Sequence, residues 1–380
     1  MDFDVLIIGA GPAGAAAARC LAAGGADVAL VDAHKFPRHK PCAGWISRKA
    51  IEAYPFVDTA RRAVDAAPFR RLVFHSPDLA QVAEHTSRSH LGYVADRDAL
   101  DDALVQAAEA AGAEPVLGQA VVDVEAGEDG VAARLKRGRR LEGRLLVGAD
   151  GVGGIVARAT GLRARWNPRQ LVHTHSAVVG LTAKQVRAGF GASPAIHIAP
   201  GFGGATGYAW AFPGRRHVSV GVGDRSSDPD RLAGLFRTWW DALVDLGILS
   251  ASADRPKAET FPIPAGAAVE IEHHVGKRTV LVGDAGGFVS AATGEGIYPG
   301  IRSAVLASEC LLKALEADTG ERAGSTCQDE LLRFRGRWRR EMAGHLQMPN
   351  VNVTFLLPLI YTNQEICDRF ARAFLFGENL

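Results

Sequence analysis

Four branched aliphatic residues, Val5-Leu6-Ile7-Ile8, run directly into Gly9-Ala10-Gly11-Pro12-Ala13-Gly14, and no other stretch limits the possible folds so sharply. The apolar run is too short for a globular helix and suits a strand buried on both faces, as in a parallel sheet. An Ala-rich segment follows and reads as helix; a second apolar run, Val28 to Val31, then ends in Asp32. Together these pieces make a complete βαβ unit. Gly9 permits the tight turn, Gly11 lets a pyrophosphate approach the backbone, and Gly14 lets helix and strand pack closely. Exposed N–H groups and the dipole at the helix N-terminus favour phosphates, and Asp32 is placed to accept hydrogen bonds from a ribose. A dinucleotide is therefore expected on Gly9, Gly11, Pro12, Ala13, Gly14 and Asp32.

At 380 residues the chain can build two domains or one large one. Lys+Arg 43 against Asp+Glu 42 leaves no basic excess to favour nucleic acid, and none is expected as a partner. The first residues lack a signal-peptide pattern, and no uncharged apolar run approaches the ~18 residues of a spanning helix. Cys20, Cys42, Cys310, Cys327 and Cys367 form no CxxC pair, which fits a reducing compartment. The expected location is cytoplasmic.

Beyond Asp32, the segment from His34 to Ser47 is basic, broken by Pro37 and Pro41, and closes on Gly44 before a helix expected from Ser47. Composition leaves two readings open, a solvated loop or a segment with Lys and Arg near the cofactor's phosphates. Tyr93 to Leu104 starts extended and turns helical, with Leu100, Leu104 and Ala107 on one face. Arg97 opens that helix, where an acid would suit the dipole better. Val121–Val124 and Val131–Leu135 read as a hairpin about Asp129-Gly130, and Leu145–Gly151 as a buried strand ending in an acid and a glycine. From Leu171 to Gly223 several β-like runs separated by Gly/Pro turns suggest an inserted antiparallel sheet. A helix from Asp228 to Leu246 follows, with Asp228 as N-cap ahead of Pro229. Thr279 to Gly287 is a second strand-to-glycine turn. After Gly294 the chain is mostly helical, with a basic face from Arg333 to Arg340 and an apolar stretch, Phe355 to Ile360, interrupted by Pro358.

These pieces, in this order, resemble the FAD-dependent oxidoreductases of the para-hydroxybenzoate hydroxylase fold over about the whole chain, and most of all the geranylgeranyl reductase family. Gly9 to Gly14 is similar to the first FAD fingerprint, and Arg97 to the arginine of an R-x-x-L-D-x-x-L segment along the cofactor. Gly148-Ala149-Asp150-Gly151 resembles the short Asp-Gly motif. Val282-Gly283-Asp284-Ala285 resembles the second fingerprint, whose Asp holds the ribityl chain. Thr293-Gly294-Glu295-Gly296-Ile297 resembles the loop at the isoalloxazine. Tyr208-Ala209-Trp210-Ala211-Phe212-Pro213 is similar to the Y-x-W-x-F-P motif lining the prenyl pocket, and Pro41-Cys42-Ala43-Gly44 to P-C-G-G, whose cysteine lies near the flavin. Two departures stand out: Asp32 replaces the usual Glu, and Ala43 replaces a glycine.

The resemblance implies an α/β fold: a Rossmann-like FAD-binding domain (1–165 and 275–320, with a small hairpin insertion), an antiparallel-sheet substrate domain (166–274) and C-terminal helices (321–380). It implies non-covalent FAD, contacted also by Ala43, Gly44, Val121, Asp150, Gly283, Asp284, Gly294, Gly296 and Ile297. The implied activity is reduction of a carbon–carbon double bond in an isoprenoid or related lipid. Cys42 and Tyr208 are candidates for proton donation or substrate positioning, with Trp210 as a third catalytic candidate, and Tyr208, Trp210 and Phe212 line the pocket. An aromatic hydroxylase is the alternative, and a flavin-dependent halogenase a weaker one, since Tyr208 and Phe212 depart from W-x-W-x-I-P. A non-catalytic FAD protein has no positive feature behind it. Electrons would come from NAD(P)H, reduced ferredoxin or reduced flavin, and the C-terminal helices could touch the inner face of the membrane to collect an apolar substrate. No metal is expected: His173, His175, His273 and His274 lack a convergent carboxylate or thiol set.

Overall fold

The first strand, β1 (Phe3–Ile8), is fully enclosed by parallel neighbours. On one side lies β2 (Val28–Asp32) and on the other the strand Arg140–Gly148. Ile8 sits opposite both Val31 and Gly148, so the chain leaves β1 between Asp32 and Ala149. The computed structural model describes residues 1–251, 253–318, 323–348 and 353–378. It divides into two compact units, one of Met1–Arg38, Asp98–Gln170 and Pro264–Met348, the other of His39–Arg97, Leu171–Ile263 and Pro349–Leu380.

In the first unit the sheet runs Val275–Gly276, Thr279–Leu281, Arg140–Gly148, β1, β2, Glu114–Leu117. The expected hairpin, Val121–Ala126 with Val131–Leu135, pairs onto Arg140–Gly148 as an antiparallel meander. Helix α1 (Pro12–Ala23) buries Ala13 through Ala18 and Leu21. Alanines nearly all round it let both the sheet and the helix Ile297–Ala317 come close; a methyl on Gly24 would meet Leu312 at 2.6 Å. The helix Arg97–Glu109 buries Leu100, Asp101, Leu104, Val105 and Ala108, leaving Ala107 half-buried. Leu100 and Leu104 thus face inward as expected, the stripe continues through Ala108, and it carries an acid, Asp101, inward. On helix Ala323–Leu346, Arg337 pairs with Glu309 and Glu341, Arg333 with Glu330, and Arg339 donates to the Ile271 carbonyl, while Arg333, Arg335 and Arg340 stay exposed.

The second unit holds a seven-stranded sheet, in order Glu259–Ile263, Val172–Gly180, His217–Asp224, Tyr208–Pro213, Ala195–Pro200, Arg71–His75, Val82–Thr86. Every pairing is antiparallel except that of Ala195–Pro200 with Arg71–His75. Strand periodicity divides the side chains of Tyr208–Pro213 between two cores. Ala209 and Ala211 face the helix Pro229–Asp245, with Phe236, Trp239 and Leu243. Tyr208, Trp210 and Phe212 face Phe74, Phe370 and Leu375, the last two on helix Gln364–Phe376. Asp228 caps Pro229–Asp245 by accepting from the Asp230 N–H at 3.0 Å. The helix Val353–Ile360 runs through Pro358. Among the described residues no helix is long and apolar enough to cross a membrane.

Candidate functional site

In the first unit the glycine turn after β1 is set by backbone contacts. Gly9 has φ +101, and a Cβ there would lie 2.3 Å from the Ala149 carbonyl oxygen; one on Gly14 would lie 1.7 Å from the Gly9 oxygen. These two positions admit no side chain. Gly11 differs, because its nearest neighbour would be Arg38 Nη2 at 3.6 Å. It is also the N-cap of α1 with no capping side chain, so the first-turn N–H groups are left to a ligand or water. Asp32 accepts from the Ala10 N–H (2.8 Å) through one oxygen and the His34 N–H (2.9 Å) through the other, fixing the turn to the end of β2. Oδ2 keeps a second lone pair for a ribose hydroxyl, while Oδ1 also lies 3.3 Å from His34 Nδ1.

In the sequence Arg38 is only one member of a basic segment. Its Nη2 lies 3.2 Å from Asp101 Oδ2, and the Asp101 side chain is fully buried. Its Nη1 is buried without a hydrogen-bond partner. A buried, half-satisfied guanidinium beside an open glycine turn is a ready anion site. The inward acid in a helix pattern, Asp101, was the available signal for it.

The second glycine turn abuts the first. Gly283 has φ +58, and its Cβ would stand 2.8 Å from that of Ala13; a Cβ on Gly296 would stand 3.3 Å from Asp284 Oδ1. Thus Ala13, Gly283, Asp284 and Gly296, from three separate segments, share one locality. Two side chains, half-buried Arg163 and buried His274, hold the Asp284 turn from behind: Arg163 Nη1 donates to the Ala285 carbonyl at 2.9 Å, and His274 Nε2 to that of Gly286 at 2.9 Å. His274 packs edgewise on Trp338 and tilted on Phe288. Burial pushes its imidazole down from 6.5 to about 3, so it serves as a neutral donor. Asp150 accepts from the Val156 N–H (2.9 Å) through Oδ2, while Oδ1 is buried without a partner. Burial pushes its carboxyl up, opposed by that backbone hydrogen bond. Glu295 is buried after Gly294, with Oε2 3.6 Å from His345 Nε2. Ile297 begins its helix, and Val121 borders the apolar cluster of the meander.

In the second unit, Trp210 is 6% exposed and Phe212 is buried, with Tyr208 half-buried and edge-on to Trp210 at 5.9 Å. The indole N–H of Trp210 donates to Ser219 Oγ (3.2 Å), and that hydroxyl donates to the Cys42 carbonyl (3.2 Å). The two expected motifs are thereby joined through a serine that sequence reasoning did not single out. Cys42 is half-buried and its Sγ accepts from the Gly44 N–H at 3.4 Å. Ala43 packs against the apolar cluster around Trp210, and Arg97 is buried at the first position of its helix. Among the described residues no group of three or more His, Cys, Asp or Glu side chains could hold a metal.

The FAD binding domain family matches residues 2–334. Digeranylgeranylglycerophospholipid reductase 1 of Methanopyrus kandleri is 30% identical over 362 residues, covering 90% of this chain and 87% of its own length. The chain belongs to the FAD-dependent geranylgeranyl reductase family. It is an FAD-dependent oxidoreductase. The menaquinone reductase of Mycobacterium tuberculosis is 29% identical over 81% of the chain and 76% of its own length. The fold matches a geranylgeranyl bacteriochlorophyll reductase-like protein of Thermoplasma acidophilum with a TM-score of 0.80, at 17% identity, covering 99% and 97% of the two chains. The cradle fits FAD: an open turn at Gly11, an uncapped helix N-terminus and an unpartnered buried guanidinium nitrogen suit a pyrophosphate.

Proposed function

We propose that this member of the family reduces carbon–carbon double bonds of an isoprenoid chain or a prenylated lipid. The observation that carries the reading is the 30% identity, over nine-tenths of the chain, to a protein named for reduction of a digeranylgeranyl lipid. A second relative, named for menaquinone, extends the substrate class to prenylated quinones. The Y-A-W-A-F-P and P-C-A-G segments support it, since both resemble the family's narrowing motifs.

FAD, once bound and reduced, supplies the hydride. The chain's own residues divide the remaining work. The first turn of α1, from Gly11 through Pro12 and Ala13 to Gly14, holds the pyrophosphate with Arg38 neutralising charge. Asp32 takes the adenosine ribose and Asp284 the ribityl hydroxyls, with Gly283, Gly294, Gly296 and Ile297 giving close backbone approach. Ala43, Gly44, Arg97, Val121 and Asp150 keep the cofactor roles that the motifs imply. Tyr208 and Trp210 orient the apolar chain, with Phe212 in the same apolar wall, and Cys42 or Tyr208 delivers the proton to the second carbon. Burial of each CH₂ gains ~0.8 kcal/mol, so a chain of isoprene units can be held with few polar contacts. NAD(P)H, reduced ferredoxin or reduced flavin delivers electrons.

Mass analysis of turnover products tests the reading. A prenyl substrate that gains two hydrogens per double bond supports it. An aromatic substrate that gains one oxygen atom instead, in air, replaces it with a hydroxylase. Cys42→Ala and Trp210→Ala are expected to lower turnover by tenfold or more, as loss of a positioned acid or wall would (~10²-fold for a general acid), while the flavin spectrum stays unchanged.

A further inference from the structure

Ser219 lies mid-strand in His217–Asp224 and is 1% exposed. Across the ladder, Trp210 pairs with Gly221 and Phe212 with Ser219, so Trp210 and Ser219 are diagonal neighbours on one face. The indole lies over Gly221: a Cβ there would meet Trp210 Cζ2 at 2.3 Å and the Ser176 Cβ at 2.6 Å. Only a glycine lets the ring fold down onto the sheet, and that brings Nε1 to the Ser219 hydroxyl. The direction of the chain of hydrogen bonds is fixed by chemistry, because an indole N–H can only donate and a carbonyl can only accept. Ser219 Oγ therefore accepts from Trp210 and gives its single proton to the Cys42 carbonyl. On its far side the Cys42 turn is closed by Gly44, at φ +75, whose carbonyl accepts from the Ala95 N–H at 2.9 Å. A side chain at Gly44 would stand 2.2 Å from the Ala95 oxygen, so this end of the turn is rigid.

We propose that Ser219 is a positioning residue, which locks the Cys42 turn to the indole of Trp210 and so sets where the thiol points. The functional weight of this link rests on the reading of Cys42 and Trp210 given above. Its geometry does not.

The test uses the full-length, FAD-loaded protein and iodoacetamide, with alkylation of each cysteine followed by peptide mapping. Cys42 and Cys20 are half-buried, while Cys310, Cys327 and Cys367 are buried, so Cys20 is an internal control. Ser219→Ala is expected to speed alkylation of Cys42 about two- to tenfold, the factor one neutral hydrogen bond is worth, with Cys20 unchanged. Trp210→Phe, which removes the indole N–H along with part of the ring, moves Cys42 in the same direction. Ser219→Thr, which keeps the hydroxyl, restores the wild-type rate. An unchanged Cys42 rate in Ser219→Ala overturns the proposal, as does a rise shared by Cys20 and the buried cysteines, which reports general loosening. A selective rise at Cys42 in a protein that reduces no prenyl substrate keeps the link and removes only the reductase reading.

Discussion

Arg38 carries two duties that one side chain seldom combines. Nη2 pairs with the fully buried carboxylate of Asp101 and is also the nitrogen nearest Gly11, while Nη1 is buried with no partner. Arg38→Lys keeps a charge for Asp101 but cannot present the second nitrogen. Flavin fluorescence on dilution should then show FAD retained about tenfold more weakly, the scale of one charge-assisted hydrogen bond. Equal retention would remove Arg38 from the cofactor site. A different prediction comes from three buried histidines. Burial pushes His75 down from 6.5 to about 4, and His197 and His274 to about 3. Between those values and 6.5 the unfolded chain binds protons that the folded chain refuses. Their contribution to stability is therefore fully present above about pH 6.5 and is lost progressively as pH falls toward about 3. His274→Gln keeps a donor for the Gly286 carbonyl without a titrating ring. Thermal unfolding followed from pH 7 to pH 4 should show a smaller acid loss in that variant; an identical slope would contradict the assignment.

At the scale of elements, legibility followed how local the cause was. β1, α1 and β2 were readable because periodicity and glycines are written in consecutive residues, and the helix after Asp228 because its cap and proline are adjacent. Asp228→Ala should cost about 1 kcal/mol in denaturant unfolding, the usual value of a cap. Gly14→Ala should do far more, since its methyl would overlap the Gly9 carbonyl; loss of bound flavin together with a lowered melting point is expected. The edge strand Val82–Thr86 went unread, because Glu84, His85 and Thr86 break the apolar alternation. The basic face from Arg333 to Arg340 was readable, but the anchoring of Arg337 on Glu309 and of Arg339 on the Ile271 carbonyl was not, because those partners lie far away in sequence. Ser219 was invisible for the same reason: its meaning depends on Trp210 and Cys42 meeting it in space.

For the whole molecule, family membership fixes the cofactor and the class of chemistry, while the double-bond reading rests on relatives and two motifs. Oxygen reactivity does not separate the alternatives, since reduced flavin meets oxygen in reductase and hydroxylase alike. Anaerobic reoxidation does. The FAD-loaded protein would be reduced with dithionite, freed of excess reductant, and mixed with prenyl diphosphates, prenyl lipids or prenylated quinones while the oxidised flavin band is followed. Return of that band with one of these substrates, matched by its saturated product, is the result predicted. A flavin that stays reduced with every prenyl compound, yet hydroxylates an aromatic substrate once air is admitted, would contradict the central claim.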